Sequence, residues 1–110
     1  MATLGMVSRK SKTDRAEIIA ALKARAAEIR SLGVVSLALF GSRARGDEQA
    51  DSDLDVLIGY DRRRKFSLYD LVGVEHFISD LTGLVVHVST RDALPADKLR
   101  GMLRDAVKVL

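Results

Sequence analysis

The segment LALFGSRARGDEQADSDLDVLIGY, residues 37–60, carries the residue types and spacing best suited to chemistry. A hydrophobic run enters Gly41 and Ser42, ten residues follow, and Asp53, Leu54 and Asp55 open a second hydrophobic run. Side chains alternate faces along a strand, so the carboxylates of Asp53 and Asp55 point one way while Leu54 points into the core. Two carboxylates on one face at a strand start can share divalent cations. A Gly-Ser turn beside them can hold the phosphates those cations bind. The combination points to metal-dependent chemistry on a nucleoside triphosphate.

Such a site needs elements to position it. Residues 14–33 read as one helix: Asp14 can N-cap, Glu17 follows three residues on as in a capping box, and Gly33 is a natural stop. Its apolar stripe is Ile18, Ile19, Leu22, Ala26, Ile29 and Leu32. Residues 34–40 read as a buried strand, 41–52 as a polar connection with room for one helical turn, and 54–58 as the second strand. Ser67 caps a helix that runs to Thr82, with Leu68, Leu71, Val72, Glu75, Phe77, Ile78 and Leu81 spaced along one face and Gly83 as the stop. Residues 84–88, rich in β-branched side chains, read as a third strand. Leu94 and Pro95 open a last helix carrying Leu99, Met102, Leu103, Ala106, Val107 and Leu110. Strands interleaved with helices predict a small mixed sheet backed by helices, in the α/β or α+β class. The short connection between the first two strands favours an antiparallel pair, and the crossover helix favours a parallel one next to it.

With 110 residues the chain is one domain, and its 47% hydrophobic and 30% charged content is that of an ordinary globular protein. There is no cysteine, which excludes disulfides, thiolate zinc sites and cysteine nucleophiles. That fits a reducing compartment, and with no apolar run long enough for a signal peptide or a membrane span the expected location is the cytoplasm. The net charge is +3, from 18 basic and 15 acidic residues. This falls short of the strong positive field of a dedicated nucleic-acid binder. Basic residues gather at Arg9, Lys10 and Lys12, at Arg43 and Arg45, and over residues 62–65. Residues 1–13 are expected to form a disordered basic tail and 14–110 the folded domain. The 62–65 run reads most simply as a solvated loop, with contact to an acidic partner or nucleic acid as the alternative.

Gly41-Ser42, ten residues, then Asp53-x-Asp55 resembles the signature of the DNA polymerase β-like nucleotidyltransferase superfamily. The fuller string GSRARGDEQADSDLDVLI and the short chain resemble its minimal members, the MNT proteins, over residues 14–110. The resemblance implies that Asp53 and Asp55 are catalytic and hold Mg²⁺, that Gly41 lets the backbone approach the triphosphate of ATP, and that Ser42 donates to phosphate oxygens. Arg43 and Arg45 lie in the same connection, where a guanidinium can meet phosphate bidentately. Arg45 is the better match to the Gly-Ser-x-x-Arg-Gly pattern.

One departure stands out. Active members of the family usually add a third carboxylate from the next strand, and here that position reads Val86-His87-Val88. Asp92, the nearest acid after it, lies beyond the strand. His87 can serve directly as a base, since neutral imidazole accepts a proton near pH 7. Alternatively two carboxylates suffice for slow catalysis, or catalysis is lost and the fold is kept for binding. His76 reads as a surface histidine, and Tyr60 and Tyr69 as amphipathic residues at element ends.

MNT proteins are commonly antitoxins of HEPN-domain toxins and silence them by moving AMP from ATP onto a tyrosine. The resemblance implies that reaction here. The alternative is a catalytically impaired antitoxin that neutralises its partner by binding alone. A third, weaker reading is a nucleic-acid-binding regulator resting on residues 62–65 and the basic tail. The sequence leaves open the acceptor and whether the chain forms homo- or hetero-oligomers.

Overall fold

A computed structural model describes residues 14–49 and 52–110; the basic tail expected over 1–13 lies outside the described residues. Among the described residues four strands form one sheet in the order β3-β2-β1-β4. They are β1 (Val34–Phe40), β2 (Leu54–Tyr60), β3 (Val86–Thr90) and β4 (Val107–Lys108). The helices are α1 (Arg15–Ala24), α2 (Ala26–Ser31), α3 (Ser42–Arg45), α4 (Leu68–Thr82) and α5 (Ala96–Asp105). β1 and β2 pair antiparallel, and β2 and β3 parallel, so the sheet is mixed as the connections predict.

Alternation sorts the strands into two faces. Leu37, Leu39, Leu54, Val56, Ile58, Val86 and Val88 belong to the core, which Ile18, Leu22 and Ile29 of the first two helices and Val74 and Ile78 of α4 complete. The other face carries Phe40 opposite Asp55 and Ala38 opposite Leu57, with Asp55 level with His87 on β3.

Four expectations are corrected. The single helix over 14–33 breaks at Arg25 (φ −113°, ψ 24°). The Arg25 guanidinium pairs locally with Glu28 and lies over the Phe77 ring of α4, 5.4 Å from its centroid, at a break that no Gly or Pro announces. Along α4 Val74, Ile78 and Thr82 are buried and Leu71, Phe77 and Leu81 pack against the core as expected, whereas Leu68 and Val72, expected on the same face, are exposed. The third strand sits two residues later than expected, because Gly83 closes α4 in the left-handed conformation and Val85 stays exposed ahead of the pairing.

The last helix stops at Asp105, and the chain turns into β4 along β1, Ala38 opposite Lys108 and Leu39 opposite Val107. That pairing closes part of an otherwise open sheet edge and buries Val109. At the opposite edge Glu75 reaches from α4 to accept the outward N–H of Val88 (3.1 Å). Ser67 caps α4 in a capping box with Asp70, while Asp14 caps α1 by accepting from the N–H of Ala16.

Candidate active site

β1 delivers its last residue, Phe40, to a turn that only glycine can make. Gly41 has φ 78° and ψ −159°, a region essentially reserved for glycine. A Cβ there would lie 2.5 Å from Oδ2 of Asp55, so the Gly41 backbone is closed directly against that carboxylate. Ser42 then starts α3, whose N-terminus receives no side-chain cap from Gly41.

Arg43 and Arg45 part company. Arg43 is only 2% exposed, and its Nε and guanidinium donate to the Ser52 carbonyl (3.0 and 2.8 Å) and toward the Gln49 carbonyl. It therefore ties the start of the connection to its end and sets where β2 begins. Arg15 of α1 adds a second tie by donating to the Ala44 carbonyl. Arg45 stays half-exposed and pairs with Asp47 (3.2 Å). Arg43→Ala is expected to lower stability by about 2–4 kcal/mol, because a buried side chain is removed and the part-buried Ser52 carbonyl loses its charged donor. Arg45→Ala should cost well under 1 kcal/mol as an exposed pair. Chemical denaturation of both variants checks the contrast.

Asp53, Asp55 and His87 come together at the start of β2. His87 Nε2 and Asp53 Oδ2 are 2.7 Å apart, and both side chains are open to solvent. The hydrogen bond to Asp53 raises the His87 pKa; burial opposes it, and the charges of Asp53, Asp55 and Glu75 add to the rise. Asp55 is more enclosed. Burial raises its pKa; His87 lowers it, Asp53 raises it through like charge, and Arg45 lowers it. NMR titration of His87 is expected to give a midpoint above the ordinary value of about 6.5, returning toward it in Asp53→Asn. A folded-state pKa above the unfolded one means the pair stabilises the fold at pH below the unfolded value. That contribution fades as pH rises through the folded midpoint.

The donor set suits a hard divalent cation. Asp53 and Asp55 offer carboxylate oxygens from one strand face, and a cation would offset the like charge and burial that disfavour the Asp55 anion. No group of three or more His, Cys, Asp or Glu among the described residues is arranged to hold a metal. Phosphate oxygens and water would therefore have to supply the remaining ligands.

Other residues singled out in the sequence lie elsewhere. Asp92 accepts from the Tyr60 hydroxyl and pairs with Arg62 (3.8 Å), at the far end of β2. Tyr60 stacks on Phe66, ring centroids 4.6 Å apart. His76 and residues 62–65 are exposed. Two supporting residues escaped the sequence reading. The pattern favours Arg45 for phosphate but does not assign Arg43 its buried structural role, and Glu75 is spaced along an apolar face, where a lone acid amid Val74, Phe77 and Ile78 is the available signal. No helix among the described residues is long and apolar enough to cross a membrane.

Comparison with known proteins agrees with the geometry. Residues 16–109 match the family described as "Nucleotidyltransferase domain". The chain is 32% identical over 94 residues, 84% of its length and 93% of the relative's, to "Protein adenylyltransferase MntA" of Thermococcus cleftensis. It is 39% identical over 61 residues to "Putative protein adenylyltransferase MJ1217" of Methanocaldococcus jannaschii, a match spanning 56% of this chain and 60% of that protein. A solved structure described as a "putative minimal nucleotidyltransferase" superposes with TM-score 0.74 at 29% identity, covering 86% of this chain and 94% of that one. With the Gly-Ser turn, the paired aspartates and the mixed sheet in place, the chain belongs to the nucleotidyltransferase domain family, among relatives named as protein adenylyltransferases.

Proposed function

We propose that this protein is a Mg²⁺-dependent protein adenylyltransferase that moves AMP from ATP onto a hydroxyl, a tyrosine in particular, of a partner HEPN-domain toxin and thereby acts as its antitoxin. The observation that carries the reaction is the closure of the Gly41 backbone against Asp55, beside the solvent-exposed side chains of Asp53 and His87. The protein acceptor rests on the relatives' names. The toxin rests on a structural neighbour described as a "toxin-antitoxin with AMP-PNP" (TM-score 0.65, 11% identity, 80% of this chain and 72% of that one), a likeness that by itself speaks for the fold.

In this reading the acceptor oxygen bonds to the α-phosphorus, the bond from that phosphorus to the α,β-bridging oxygen breaks, and pyrophosphate leaves. Asp53 and Asp55 would hold Mg²⁺, which supplies positive charge against the charge building on the phosphoryl and pyrophosphate oxygens. Gly41 admits the triphosphate to the backbone, Ser42 donates to phosphate oxygens, and Arg45, exchanging its surface pair with Asp47, adds a guanidinium. His87 donates Nε2–H to Asp53, which leaves Nδ1 to take the acceptor's proton.

The second reading, neutralisation by binding alone, is favoured by one observation: an imidazole, already bonded to Asp53, stands level with Asp55 where the family signature has a carboxylate. Intact mass spectrometry of the protein encoded beside this chain, after incubation with this chain, ATP and Mg²⁺, separates the two. Transfer adds one or more adenylyl units, and Asp53→Asn adds none. A stable complex with no mass gain would leave binding alone.

A further inference from the structure

The first half of α4 carries apolar side chains that this chain leaves in solvent. Leu68, Tyr69 and Val72 are 73%, 89% and 38% exposed, and they line a hollow of about 380 Å³. At 3.6 residues per turn they share an arc of about 140° with Gly73, His76 and Asp80, opposite the buried Val74 and Ile78. Because Val74 and Ile78 pack toward the sheet, the arc points away from it. Gly73 stands in the helix interior, where glycine is less favourable than alanine, and a Cβ there would meet nothing within 4 Å. No neighbour among the described residues therefore requires a glycine, and the bare backbone leaves room for a second element to come close.

The two ends of this arc carry opposite charge. Residues 62–65 lie exposed just ahead of the helix. Within that run Arg62 pairs with Asp92 and Arg63 with Asp61, whereas Lys65 has no acidic partner among the described residues. At the other end Asp80 is exposed and has no basic partner among them. A surface that is basic at one end and acidic at the other, with an apolar hollow between, complements itself when turned end for end. A parallel arrangement would set like charges side by side.

We propose that this arc is a self-association surface, on which two copies of the chain pack their α4 helices antiparallel about a twofold axis, crossing at Val72 and Gly73. One register satisfies every feature. Tyr69 lies three residues before Val72 and His76 three after Gly73, while Lys65 and Asp80 lie seven before and seven after. Antiparallel packing with Val72 of each copy over Gly73 of the other brings His76 to the hollow between Leu68, Tyr69 and Val72 of the second copy. It also sets Asp80 level with Lys65. The contact is one helix face roughly 22 Å long, less than a standard interface needs, so the dimer is weak. The arc faces away from the sheet, so both copies keep Asp53, Asp55 and His87 open, and the association does not depend on the adenylyltransferase reading.

Sedimentation equilibrium of the full chain over a range of concentrations tests it. The average mass should rise from that of one chain toward that of two, with half-association on the order of 10–100 µM for an interface of this size. Val72→Arg, at an exposed position, should keep the melting temperature and hold the mass at one chain throughout. Lys65→Glu and Asp80→Lys should each weaken association roughly tenfold, because twofold symmetry makes each reversal set two like-charge pairs in the dimer. The double variant Lys65→Glu/Asp80→Lys should recover it, and added salt should narrow the differences. Asp53→Asn should associate like the unaltered chain, so loss of transfer and loss of association are read apart. A mass fixed at one chain, a dimer that survives Val72→Arg, or a double reversal that recovers nothing would overturn the proposal. A monomer that loses binding to the protein encoded beside this chain in Val72→Arg would overturn it too, by giving the arc a different occupant.

Discussion

Asp55→Asn is expected to abolish AMP transfer, by roughly 10³-fold or more, without lowering the melting temperature at neutral pH. The loss follows from removing one of the two carboxylates that would hold the cation, several kcal/mol of transition-state charge stabilisation. The thermal result follows from the environment. Burial and the charge of Asp53 make the Asp55 anion costly in the folded state. A folded-state pKa raised above the unfolded value means that the ionised group works against folding at pH above it. Asparagine removes that cost, so the variant should melt at the same or a higher temperature at pH 7. The gain should vanish as pH falls through the raised midpoint. Asp53→Asn should lose transfer equally, but it also releases His87 from its 2.7 Å partner. Scanning calorimetry with the mass assay separates these effects. If the partner proposed above is a toxin, its neutralisation persisting in both variants would sink the catalytic reading and leave the binding one.

Gly41→Ala is the second large effect, and it strikes fold and site together. Alanine at φ 78° and ψ −159° costs about 1–3 kcal/mol of backbone strain. Its methyl would also sit 2.5 Å from an Asp55 carboxylate oxygen, which must rotate away or push β1 and β2 apart. A melting temperature lower by several degrees is expected, with transfer falling as far as in Asp55→Asn. The double variant Gly41→Ala/Asp55→Ala locates the damage: removing the carboxylate should restore part of the lost stability and none of the activity. If Gly41→Ala alone transfers AMP at the normal rate, close backbone approach is not what the site needs.

The reading of Gly41, Asp53 and Asp55 needed little more than alternation and spacing. Two aspartates two residues apart must share a face of any strand, and a glycine between an apolar run and a polar connection marks a turn. The antiparallel and parallel pairings followed from connection length, and the Ser67 cap from local hydrogen-bonding chemistry, all short-range causes. The tertiary structure decided what depends on distant neighbours. Residues 106–110 carry apolar side chains compatible with a continued helix, yet the free edge of β1 turns Val107 and Lys108 into a strand. The helix breaks at Arg25, whose guanidinium lies over Phe77 of α4, a neighbour that local spacing does not announce. Arg43 and Arg45 are the same residue type two positions apart, and only the return of the chain at Ser52 buries one and leaves the other near Asp55. The sequence by itself determined which groups could do chemistry and on which face they stand. The fold decided which of them are spent on structure, because burial and pairing belong to the whole molecule rather than to its spacing.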